Sequence, residues 1–155
     1  MKLTLDLTGE GRAVVTRRFK ATPEQVYRAH VEPELMRQWM GGIDGWDITD
    51  CVVEPRPGGR LLQRFEGPEG ATFAITGEFI SLDPGREINH VERMLMPDPT
   101  PDNRIRTTFE AVEGGTLLTL HMQLPDEESL AAMLETGMAE GMEQSYSRID
   151  GLFAA

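Results

Sequence analysis

Three observations in the sequence predict an α+β domain in which a run of antiparallel strands leads into a long C-terminal helix. Turn signals recur from residue 46 onward: "RPGG" at 56–59, "GPEG" at 67–70, "DPG" at 83–85, "PDPTPDN" at 97–103 and "EGG" at 113–115. They bound strand-like segments at about 46–55, 60–66, 71–82, 86–96, 104–112 and 116–124. The connections are too short for parallel crossovers, so the segments form a meander. After Pro125 the apolar period lengthens: Leu130, Met133, Leu134, Met138, Met142, Ile149, Leu152 and Phe153 recur at helical spacing. Near the start, "FKATPEQVYRAHVEPELMRQWMGG" at 19–42 reads as two short helices separated at Pro33.

Taken in order, "RAVVTRRFKA" alternates as a seventh strand, with Val15, Arg17 and Phe19 on one face and Val14, Thr16 and Arg18 on the other. Thr22 and Gln25 form a capping box, and Pro23 occupies the first helical position, where its missing N–H costs nothing. Val26, Tyr27, His30 and Val31 share one side of the first helix. Leu35, Met36, Trp39 and Met40 repeat the spacing in the second. Helices shorter than about 12 residues do not survive alone, so both must pack on something.

Placing Gly114-Gly115 in a two-residue turn sets Glu113 opposite Thr116. Ala111, Phe109, Thr107 and Ile105 then oppose Leu118, Leu120, Met122 and Leu124 on a core face. His121 falls on the solvent face with Thr119 and Gln123. Asp126 caps the C-terminal helix, with Glu127 and Glu128 complementing its dipole. From Asp126 onward seven acids accompany one base, Arg148, the pattern of a solvated helix face. Gly137 and Gly141, four residues apart on that helix, point to close packing or to space left unfilled.

At 155 residues the chain suits one domain, 1–155, able to bury roughly two thirds of its unfolded surface. A formal charge of −11 repels phosphate backbones and anionic headgroups, which argues against nucleic-acid and membrane partners. Cys51 is the only cysteine, so no internal disulfide forms. "MKLTLDLTGEG" lacks an apolar signal core, and no apolar run approaches the ~18 residues of a membrane span, so a cytoplasmic location is expected. With no HExxH, GxSxG, P-loop, GxGxxG or cysteine pair, neither a metal nor another cofactor is expected.

The order and spacing of "RRFKATPEQVYRAHVEPELMRQWM", "PRPGGRLLQRFEGPEGATFAITGEFISLDPGREI", "GGTLLTL" and "GMEQSYSRIDGLFA" resemble the START-like (SRPBCC) superfamily. The likeness covers about residues 12–153. It rests on Pro23, Val26, Ala29, Pro33, Leu35, Trp39, Gly58-Gly59, Gly77 and Gly141 in succession. Within the superfamily, the chain resembles the branch named after the activator of the heat-shock-protein-90 ATPase. The resemblance implies a helix-grip fold: a seven-stranded antiparallel sheet around the long C-terminal helix, with the two short helices between strands one and two. It also implies a cavity between sheet and helix that in such proteins accommodates apolar molecules. Met40 and Met142 stand where similar proteins often carry a second tryptophan, and the softer methionine suits a plastic pocket.

On that expectation the ligand-binding candidates are Trp39, Met40, Trp46, Phe79, His90, Glu92, Phe109, Met122, Met138, Met142 and Tyr146. "NHVER" at 89–93 is the one constellation suggestive of chemistry, because His90 and Glu92 share a strand face. If Pro84-Gly85 is the turn, His90 opposes Phe79 and Glu92 opposes Gly77, beside Phe73, Ile75 and Ile88 on a face that should turn inward. His30 and Glu32, by contrast, diverge by about 200° around a helix, and His30 is expected to pack beside Val26.

Three functions compete: binding of a small apolar or amphipathic molecule, a polyketide cyclase- or dehydratase-like enzyme using His90 and Glu92, and a co-chaperone or stress-response module. Binding is the reading preferred, and the family name alone does not carry the third, since fold does not dictate function. A meander also leaves edge strands through which a homodimer could form.

Overall fold

The structure is a computed structural model that describes residues 2–40, 45–95 and 99–153. Parts of the stretch 19–42, of the strand expected at 86–96 and of the turn expected at 97–103 lie outside those residues. The chain forms β1 (Thr4–Gly9), β2 (Arg12–Phe19), α1 (Pro23–Val31), α2 (Pro33–Met40), β3 (Asp47–Val53) and β4 (Arg60–Glu66). β5 (Thr72–Asp83), β6 (Glu87–Leu95), β7 (Asn103–Val112) and β8 (Gly115–Gln123) complete one antiparallel sheet of eight strands in the order β1-β2-β8-β7-β6-β5-β4-β3. α3 (Glu127–Glu135), α4 (Met138–Tyr146) and α5 (Ile149–Leu152) follow. The fold is α+β, and the helices pack on one face of the sheet in the manner of a helix grip.

The capping box forms as expected: Thr22 Oγ1 accepts from Gln25 N at 3.2 Å and Gln25 Oε1 accepts from Thr22 N at 2.9 Å. Glu32, the residue before Pro33, is extended, which ends α1 and lets α2 restart at an angle. Trp39 then hangs back from α2, and its indole N–H donates to Ala29 O at 2.8 Å.

Five expectations need correction. The sheet has an eighth strand, β1, largely exposed and paired only to β2; Leu3, Leu5 and Leu7 alternate there with polar residues, a strand pattern without an apolar run. The single long helix is instead three. Gly137 adopts a left-handed conformation (φ 83°) that ends α3 and starts α4, and Ser147 and Arg148 separate α4 from α5. The β7–β8 turn lies one residue earlier than expected, pairing Val112 with Gly115 and Phe109 with Leu118. That moves the register by two residues, so Ile105, Thr107 and Phe109 stay on the buried face and His121 stays outside.

The β5–β6 turn is one residue longer than expected, with Asp83 opposite Glu87. A register shift between Phe79 and Ser81 compensates, restoring His90 opposite Phe79 and Glu92 opposite Gly77. The acids of the C-terminal helices also prove to be more than a solvated face. Glu127 accepts from Gly11 N at 2.7 Å, Glu143 accepts from Leu3 N and from Arg17, and Asp150 accepts from Lys20 N and Ala21 N at 2.9 Å. They fasten the helices to the backbone at the β1–β2 side of the sheet.

Candidate functional site

Between the inner face of β4–β8 and helices α2, α3 and α4 lies a cavity of about 650 Å³, a size that suits a small organic ligand. Ten of the eleven candidates line it: Trp39, Met40, Trp46, Phe79, His90, Glu92, Met122, Met138, Met142 and Tyr146. Phe109 does not. It is buried behind the wall, edge-on to Tyr27 (5.7 Å between centroids) and to His30 (5.3 Å), where it supports the lining.

One wall is aromatic. Trp39 stacks on Tyr146 (5.8 Å between centroids, 19° between planes), and His30 sits 5.0 Å from Trp39. Further along, Phe65 stacks on Phe73 at 4.6 Å, and Trp46 meets Phe73 edge-on at 5.0 Å. The helical wall is soft and incompletely filled. Met133, Met138 and Met142 face the space, and a Cβ at Gly141 would meet no atom within 4 Å. Of the two readings of that glycine, unfilled space is the one realised.

The polar groups of the cavity come from both layers. His90 Nε2 and Glu92 Oε2 lie 3.1 Å apart, the imidazole N–H donating to the carboxylate, as the shared strand face implied. His90 Nδ1 is buried with no partner. His30 packs beside Val26 and bonds it: its Nδ1 lies 2.7 Å from Val26 O, which can only accept, so Nδ1 carries the proton. Its Nε2 is then a bare acceptor, buried and unpartnered. Burial pushes the His30 pKa down to about 4, with the nearby His90 adding to the effect and the Val26 bond opposing it, so the ring is neutral at pH 7. Burial, and then the charge of Glu92, raise the Tyr146 hydroxyl well above the ordinary tyrosine range.

Sequence reasoning missed His30, Gln63 and Asn103 as lining residues. Gln63 and Asn103 are 3% and 2% exposed, and their amides donate to thioether sulfurs: Gln63 Nε2 to Met36 (2.7 Å) and Met40 (3.3 Å), Asn103 Nδ2 to Met133 (3.9 Å). Gln63 alternates in phase with the buried Leu61 and Phe65, the one signal that could have found it. Arg93 reaches the rim, but its guanidinium is held by Asp102 at 2.8 Å and Glu78 at 3.1 Å. Among the described residues no cluster of three or more His, Cys, Asp or Glu could hold a metal ion, and no helix is long and apolar enough to cross a membrane.

No curated protein matches the chain. Solved structures do. A Rhodobacter sphaeroides protein is 31% identical over 97% of both chains with a TM-score of 0.90. A Mycobacterium smegmatis protein is 23% identical, covering 100% of this chain and 97% of its own, with a TM-score of 0.86. The AHSA1-like protein of Aeromonas hydrophila is 19% identical, covering 89% and 90%, with a TM-score of 0.72. The family model described as Activator of Hsp90 ATPase homolog 1-like protein matches residues 20–154. That span takes in every helix and six of the eight strands, so the chain belongs to this family, within the START-like superfamily.

Proposed function

We propose that the protein binds a small apolar or amphipathic molecule in the cavity between the sheet and the C-terminal helices, and does so as a single cytoplasmic domain without a cofactor. The observation that carries this reading is unfilled space at a helix-interior position: Gly141 lines the cavity, and a Cβ there meets nothing within 4 Å. A protein selected for stability alone would gain by filling it, since glycine costs a helix interior up to ~1 kcal/mol relative to alanine. The methionine walls and stacked aromatics supply the apolar surface that such ligands need. Membership of a family that commonly binds hydrophobic ligands supports the same conclusion.

Native mass spectrometry of freshly purified protein, followed by organic extraction, tests it. A released lipid or metabolite is expected. An empty protein that also shows no thermal shift across an apolar ligand library would refute the reading.

A second reading is favoured by one specific contact. The His90–Glu92 pair is formed and faces the cavity, which is the arrangement a general base of a cyclase or dehydratase requires. Turnover of a bound substrate that disappears in both His90→Ala and Glu92→Ala, with folding intact, would establish it.

A further inference from the structure

The polar groups inside the cavity are mismatched in a way that specifies its occupant. His30 Nε2 and Asn103 Oδ1 are acceptors with no donor, and His90 Nδ1 is likewise buried without a partner while its Nε2 is engaged by Glu92. The amide donors of Gln63 and Asn103 are spent on sulfur, a weak acceptor. Buried polar groups left in this condition are rare, and each one calls for a physical account. All three unpartnered atoms belong to side chains that line one cavity, so a common occupant accounts for them together.

Charge narrows the occupant further. Among the described residues, Glu92 and Glu140 are the carboxylates of the lining, and Arg93, its one arginine, is already committed to Glu78 and Asp102. His30 is neutral at pH 7. A carboxylate or phosphate head would therefore enter a site with unsatisfied acceptors, a resident carboxylate and, among the described lining residues, no uncommitted arginine or lysine to receive it, at a steep desolvation cost. A hydroxyl is matched in both directions: its O–H donates to a histidine nitrogen and its oxygen accepts from an amide N–H now held only by sulfur. All three atoms are buried, so a hydroxyl reaches them only where the surrounding side chains give way. The methionine walls are flexible enough to yield to a ligand that fills the space.

We infer that the ligand is a neutral apolar molecule ending in an alcohol or phenol hydroxyl, seated head-first against His30 and His90, and not a fatty acid or other anion. The inference rests on the cavity-binding reading above and names the chemistry of its ligand.

Titration calorimetry with octanol, its isomer heptyl methyl ether, and octanoate tests the inference. The alcohol and the ether have the same size and apolarity and differ in the donor. Octanol is expected to bind at least about tenfold more tightly than the ether, and octanoate more weakly than either. The nitrogen-15 resonance of His30 Nε2 should move on adding octanol and not on adding the ether. In His30→Phe, and independently in His90→Phe should the first fail to fold, octanol should fall to the affinity of the ether while the ether's own affinity holds. Equal binding of alcohol and ether, or tightest binding of octanoate, would overturn the hydroxyl inference and leave the cavity reading standing. Failure of all three to bind would overturn both.

Discussion

The two ends of the contact between sheet and helices are built on opposite principles. At the β1–β2 side every polar group named is answered. Thr116 Oγ1 donates to Ala21 O at 2.7 Å, Asp150 receives two backbone N–H groups, and Arg17 meets Glu143 through two bonds of 3.0 Å. Phe19, Leu118, Leu130 and Ile149 fill the space around them and are fully buried. At the β4–β7 side, acceptors go unpaired, amides bond sulfur, methionines face open volume and a glycine stands where a side chain would fit. The first end holds the fold together, and the second leaves that stability ungathered so that space remains. A cavity need not be carved out of a uniform core when one end of the domain is over-secured.

The sharpest way to break this contrast is to delete packing at each end. Ile149→Ala should cost about 2–5 kcal/mol in denaturant unfolding, because a fully buried side chain leaves a void. Met142→Ala, on the cavity side, should cost less than about 1 kcal/mol, because it enlarges a space that already exists. Equal losses would mean that the two ends are not energetically distinct.

Acid should weaken the protein through the cavity end first. His30 takes up its proton only near pH 4 when folded but near its ordinary value of 6.5 when unfolded. The unfolded state therefore binds the extra proton between those values, and stability falls as pH is lowered through that window, by about 3 kcal/mol in total. Urea midpoints measured from pH 7 to 4 should show the slope, and His30→Phe should flatten it.

Arg17→Ala should cost about 2–3 kcal/mol, below the full penalty of a broken buried pair because Glu143 keeps 26% of its side chain in water. Glu143 is held below the usual carboxylate range chiefly by its hydrogen bond to Arg17, with the Leu3 N–H assisting. The stabilisation is thus complete above that range and lost as pH falls through the lowered value, so the difference between wild type and Arg17→Ala should shrink in strong acid. The smallest effect has the opposite sign: Gly141→Ala should raise stability by up to ~1 kcal/mol while reducing capture of the bound molecule. A gain in both would sever the glycine from the cavity.

Legibility followed burial and local chemistry. Thr22, Gln25, Pro23 and Pro33 announce their helices because capping and proline sterics act within four residues. Ten cavity residues were readable because they are apolar or lie on a strand face whose neighbours are apolar, whereas Phe109, equally apolar, differs from them only in which side of the wall it occupies. β1 carries a strand signal, Leu3, Leu5 and Leu7 alternating with polar residues, that a search for apolar runs passes over. The break at Gly137 escaped because a glycine in a helical repeat reads alike whether it bends the chain or merely weakens it.

By itself, then, the sequence determined which segments become strands and helices, which face of each strand is apolar, and that His90 and Glu92 share one. Those properties follow from periodicity and short-range sterics. Only the tertiary structure decided that His30 and Asn103 meet His90 around one cavity, that the compensating shift near Ile80 keeps Phe79 opposite His90, and that the acids at 127, 143 and 150 fasten helix to sheet. Each of these depends on contacts between residues distant in the chain, where the deciding energy is the pairing or orphaning of a polar group by a partner that no local pattern names.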